Sequence, residues 1–221
     1  MANNAIVNMF RVKEIRKRIF FTLLVLAVFR LGSVLTIPGI NPEALTTYFR
    51  SATGASNSFV DYMDFFAGGA FSNFSVFMLG VMPYISTQII LQLALIIFPS
   101  LKRIAQEDGG QKKIQSWTRI GTVFVCLIQS WAVTIYAISI PGAVVISSTI
   151  IFRIIAMIAV TTGTMVTIWL GEQITARGIG NGISMLIFAG IVARLPSAVW
   201  ELGRMVSQDM SKLVSVVIVL I

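Results

Sequence analysis

Apolar residues run in long blocks at about 19–38, 71–98, 117–139, 151–170 and 183–200, parted by shorter polar stretches that hold most of the charges. About 20 residues at 1.5 Å each cross the ~30 Å of hydrocarbon in a bilayer. The pattern therefore predicts an all-α polytopic membrane protein with five spans in residues 1–209. Another apolar run starts at Leu213 and is still unbroken at Ile221, so 210–221 read as the start of a sixth span, expected to continue in a longer protein.

The second block differs from a plain anchor. Ala67-Gly68-Gly69-Ala70 breaks it near its start, and Gly80 and Pro83 break it again. Backbone that leaves helical geometry at membrane depth costs several kcal/mol per unpaired group in lipid, so it persists only where it packs in protein or lines a watery cavity. The break points to a pore or a binding site. From Phe74 to Phe98, Met78, Val81, Ile85, Gln88 and Gln92 follow at spacings of three and four and share one helix face, turning Phe77 and Leu79 outward. Two readings fit the glutamine end of that face: a vestibule leading to an apolar constriction, or hydrogen bonds that join neighbouring helices. Upstream, residues 61–71, with Asp61 and Asp64 in a first turn, predict a short amphipathic half-helix. It is either re-entrant at the outer side of a pore or interfacial.

Of 221 residues, 56% are hydrophobic and 12% charged, and the mean hydropathy is +0.86. The start Met-Ala-Asn-Asn lacks a cleavage pattern, so no leader is expected to be removed. The net charge of +8 follows the loops: eleven Lys and Arg gather at residues 11–18, 102–119 and 177, against five at 50, 153, 194, 204 and 212. This bias places the N-terminus and the stretch 100–115 in the cytoplasm, with 41–64 and 207–212 outside. Lys102, Arg103, Lys112 and Lys113 are then candidates for docking acidic partner surfaces, or simply a solvated loop. Arg30, within the first span, would cost about 2.5–3.5 kcal/mol at the bilayer centre unless it faces protein or the interface. Gly32 and Pro38 suggest that the span ends nearby.

There is no histidine, which removes His-based acid–base catalysis and the common zinc sites. The lone Cys126 reads as a packed thiol. The glycines of 171–183 lack the preceding strand and Lys-Ser/Thr of a phosphate loop and fit a helix-ending turn, with Asn181 or Gly182 capping the next span. Neither an enzyme nor a bound cofactor is expected. A secondary transporter is the other class with broken helices, but the spans offer Arg30, Arg153 and Arg194 and no carboxylate for ion coupling.

"FSVFMLGVMPYISTQIILQL" (74–93), "WLGEQITARGIGNGISMLIFAGIVARLP" (169–196) and "FRLGSVLTIPGI" (29–40) resemble the SecY family, the central subunit of the bacterial protein-translocation channel. The resemblance covers essentially the whole chain and only the N-terminal half of that family's ten-span clamshell. It implies a passive channel in the inner membrane that passes secretory polypeptides across and releases spans sideways into lipid. Val81, Ile85 and Ile187 fall at apolar pore-ring positions. Residues 62–73 correspond to the plug: Tyr62, Met63, Asp64, Phe65, Phe66, Ala67, Gly68, Gly69, Ala70 and Phe71, with the two residues beyond. Ser86, Gln88 and Gln92 lie at the lateral gate. The implied partners are SecE, SecG, the SecA ATPase or the ribosome, signal peptides and nascent chains, membrane lipid, and the C-terminal half of the same protein.

Overall fold

The computed structural model describes residues 12–52, 64, 67–146 and 148–208. Seven helices are present among them: α1 (Lys13–Gly32), α2 (Pro42–Ala52), α3 (Met82–Ile97), α4 (Pro99–Gln106), α5 (Gly110–Ser139), α6 (Thr149–Arg177) and α7 (Gly182–Gln208). Pairing between extended segments of the described residues is limited to isolated bridges, Thr36 to Ser75 and Ile40 to Val144. The expected sixth span lies outside the described residues.

Four of the helices begin before the apolar block that announced them. Lys, Arg and Gln are good helix formers, so α1 and α5 extend into basic sequence at their starts, while hydropathy marks only the part suited to lipid. By length and apolarity α5 and α6 each suffice to cross a membrane, and α3 with α4 makes a bent third candidate. Pro99 causes that bend. The residue before a proline is driven from helical to extended geometry, and Phe98 sits at φ −104°, ψ 105°, ending α3 and starting α4 at 106° to it.

The block 71–98 is helical only from Met82. Residues 67–81 form successive turns, with Gly68, Gly69, Gly80 and the buried Phe74 at positive φ. Their backbone groups are satisfied by protein: Ile37 N–H donates to the Phe74 carbonyl at 2.9 Å, Val76 N–H to Leu35 at 2.9 Å, and Ser75 N–H to Ala70 at 3.0 Å. Such pairing is what non-helical backbone needs at this depth.

Helices α5 and α6 pack antiparallel through small side chains. Thr118, Thr122, Cys126, Ser130 and Thr134, each four residues apart, are all buried on one face of α5. Small residues let helices approach where lipid supplies no hydrophobic drive. The hydroxyls are satisfied within the helix, as in Thr122 Oγ1 donating to the Thr118 carbonyl at 2.7 Å, and the Cys126 thiol meets Thr164 Oγ1 at 3.4 Å. Arg119 grips Glu172 with two bonds of 2.9 and 2.7 Å near one end of this pair.

Candidate functional site

Two apolar clusters fill the interior. One gathers Ile37, Leu45, Phe71, Phe74, Met78 and Phe152; the other gathers Val25 and Phe29 of α1, Phe77, Val81, Tyr84, Ile168 and Leu186. Ile85 and Ile187 are half-buried against the second. Thus Val81, at the N-cap of α3, Ile85, one turn into it, and Ile187 of α7 come from two parts of the sequence to one apolar cluster, where α1, α3, α6 and α7 meet.

The continuous face expected from Met78 to Gln92 does not form. Gly80, at φ +51°, re-aims the chain, and Met78 is buried in the first cluster while Val81, 6% exposed, belongs to the second. The expectation that Phe77 and Leu79 turn outward is also corrected. Phe77 is buried and stacks on Phe29 with centroids 5.9 Å apart, and Leu79 is half-buried against the first cluster. Helical periodicity fails there because residues 74–81 are not a helix. Beyond Ile85 the chain is helical: Ser86 is half-buried, and the side chains of Gln88 and Gln92 are exposed.

Of the expected plug residues, Tyr62, Met63, Phe65 and Phe66 lie outside the described residues. Asp64 and residues 67–71 are described, and 67–71 form turns in place of the expected half-helix, because Gly68 and Gly69 adopt φ +63° and +91°. Charge anchors this turn. The Asp64 carboxylate, 5% exposed, accepts from Ser72 N–H at 2.8 Å and pairs with Arg194, which also reaches Ser72 Oγ at 3.4 Å. Arg30 Nη1 donates to the Gly68 carbonyl at 2.8 Å. The sequence offers no carboxylate within the apolar spans for ion coupling. One is present, outside any span, and both of its oxygens are engaged. The depth of Arg30 and the nearby acidic pair were the available signals, but neither named the partner.

The basic clusters come to one end of the molecule. Thr22 Oγ1 accepts from Ile179 N–H at 3.3 Å, which puts the middle of α1 beside the end of α6 with the basic residues 13–18 on the N-terminal side of that contact, and the Arg119–Glu172 pair brings the N-terminal third of α5 to the same region. Asn181 Oδ1 caps α7 at this end, accepting from Ile183 and Ser184 N–H at 3.1 and 3.4 Å. Lys102 and Arg103 lie on α4, and Lys112 and Lys113 on the first turn of α5, so most of the expected loop is helix around a turn at 107–109. All four are exposed. The opposite end is closed by Asn41 N–H donating to the Ala143 carbonyl at 2.8 Å and Val145 N–H to Gly39 at 3.0 Å.

Long apolar helices, helix-breaking turns satisfied inside protein and one-sided basic charge together define an all-helical polytopic membrane protein. A family model described as SecY matches residues 75–221. The chain is 47% identical over 216 residues to the protein translocase subunit SecY of Borreliella burgdorferi, covering 97% of this chain and 48% of the relative. It is 43% identical over 189 residues to that of Escherichia coli, covering 84% and 42%. The chain belongs to the SecY family and spans about half the length of these relatives. Among solved structures, it is similar to Sec61 in the canine ribosome-channel complex (TM-score 0.61, 18% identity, 90% of this chain and 43% of that one) and to a protein conducting channel (TM-score 0.59, 19% identity, 90% and 43%), likenesses of fold.

Proposed function

We propose that this chain is the N-terminal half of a protein-conducting channel of the inner membrane, with five spans and the N-terminus in the cytoplasm. Val81, Ile85 and Ile187 supply its part of an apolar pore ring. Residues 62–73 plug the outer side, Ser86, Gln88 and Gln92 line the lateral gate and vestibule, and Lys102, Arg103, Lys112 and Lys113 face cytoplasmic partners. The carrying observation is the meeting of Val81, Ile85 and Ile187 in one apolar cluster next to non-helical backbone. An apolar ring seals by making a narrow water column unfavourable, and it offers a passing chain no specific hydrogen bonds, so sequence matters little. The channel is passive, without cofactor or catalysis. Its drive and context come from SecA or the ribosome, SecE and SecG, the C-terminal half of the protein and surrounding lipid, and its cargo is signal peptides and nascent chains. The relatives' name, translocase subunit, and the ribosome-channel complex of one structural neighbour support this assignment.

The test uses the full-length channel. A photo-crosslinker at Ile85 or Ile187 is expected to capture a polypeptide halted in transit, and a V81S/I85S/I187S variant to raise resting ion conductance. Crosslinks to lipid alone, with the variant conducting like the parent, would refute the ring.

A further inference from the structure

We infer that Asp64, Arg194 and Arg30 form a charged latch that holds the glycine turn beside the constriction, and that the resting channel opens only when this latch releases. The inference rests on the channel reading above and adds the chemistry that keeps the pore shut.

Ile187, Gly190 and Arg194 follow at spacings of three and four along α7 and so form one stripe. Ile187 joins the apolar cluster. Gly190 lies against Gly68, where an added Cβ would stand 2.8 Å from the Gly190 carbonyl oxygen and 2.9 Å from its Cα. Arg194 pairs with Asp64. The turn therefore runs along the stripe that supplies Ile187, beginning three residues, roughly 4.5 Å, beyond it. Phe71 packs into the first apolar cluster, but toward α1 and α7 the fastening of the turn is polar. Arg30 holds the Gly68 carbonyl from α1, Arg194 holds Asp64 and Ser72 from α7, and Asp64 ties back to Ser72 N–H.

Polar fastening suits a device that must let go. The side chain of Asp64 is 7% exposed and that of Arg194 34%, so the pair is shielded at the acid and open to water at the base. Coulomb attraction falls about fourfold between an effective dielectric of ~20 and that of water. Wetting of the constriction weakens the latch, and a closed latch keeps the turn seated. An apolar contact of the same area lacks this coupling to water.

In the full-length channel in planar bilayers, with no cargo, Asp64→Asn and Arg194→Gln should each raise resting ion conductance at least tenfold. Arg30→Gln should raise it less, and the charge swap D64R/R194D should return it to within about threefold of the parent. A cysteine at Ser72 should react faster with an impermeant thiol reagent in D64N than in the parent background. Single variants that seal like the parent, while deletion of 67–73 leaks, would overturn the latch and leave the plug standing. A deletion that does not leak would overturn both. A swap as leaky as the single variants would show that the pair does not act as a pair. Loss of assembled channel in both single variants and in Arg194→Lys would make the cluster a folding element and overturn the latch.

Discussion

At Gly163, α6 lies directly against the segment that carries Val81, and replacement of this glycine by alanine sets two opposed effects against each other. A Cβ at Gly163 would stand 2.0 Å from the Val76 carbonyl oxygen, so ordinary contact requires a displacement of about 1.4 Å. The obstacle is backbone and cannot turn aside. Val76 N–H is bound to Leu35 at 2.9 Å, its neighbour Ser75 is bridged to Thr36, and the Val76 side chain packs against both apolar clusters. Overpacking a tight site costs about 1–3 kcal/mol, and this one belongs in the upper half. Against that, alanine in a helix interior is favoured over glycine by about 0.8–1.0 kcal/mol. The net expectation for Gly163→Ala is a loss of about 1–2 kcal/mol, read as a melting temperature about 1–2 °C lower for the full-length channel in detergent. Thr162→Ala, exposed on the same helix, is the control and should melt at or above the parent. Gly163→Val should be worse than Gly163→Ala. If Gly163→Ala melts with the control, the helical gain is unopposed and the close approach of α6 to residue 76 is refuted.

Two further outcomes follow from the one-sided charge. Cys126 is buried, so, with any thiol outside residues 1–221 replaced, a cysteine at Asp108 should resist an impermeant thiol reagent added to intact cells while one at Pro141 reacts; the reverse pattern would invert the orientation. Reversing Lys102, Arg103, Lys112 and Lys113 together should weaken binding of an acidic cytoplasmic partner, and because exposed charges are screened beyond ~8 Å at physiological ionic strength, the parent's affinity should fall with added salt toward that of the variant. Equal affinity at low salt would leave these residues only their part in orientation.

Hydropathy made the helices legible because lipid demands long apolar runs and leaves little room for other solutions. It could not place the helix ends, since α1 starts at Lys13 and α6 runs on to Arg177, where water and side-chain propensity decide. The break in the second block was visible in Gly68, Gly69, Gly80 and Pro83. Its consequence for neighbouring side chains was not, because periodicity presumes the helix that those glycines remove, and Phe77 and Met78 were misdirected as a result. Within the candidate site, the i, i+4 spacing of Val81 and Ile85 was visible locally, but Ile187 is a hundred residues away and was reachable only through the motif. The Asp64–Arg194 and Arg30–Gly68 contacts join residues 130 and 38 positions apart, and nothing local in the sequence encodes which carbonyl an arginine will find.

The 106° corner at Phe98 gives α3 and α4 the form of a bell-crank. At 1.5 Å per residue the long arm, Met82–Ile97, measures about 24 Å and the short arm, Pro99–Gln106, about 12 Å. Lys102 and Arg103 ride on the short arm, and Val81 sits at the tip of the long one. Taken as one stiff piece pivoting at Phe98, the crank has a ratio near two: a partner that tips the end of the short arm by ~1 Å would swing Val81 by ~2 Å, comparable to the radius of a single methyl group and enough to change the bore of a narrow ring.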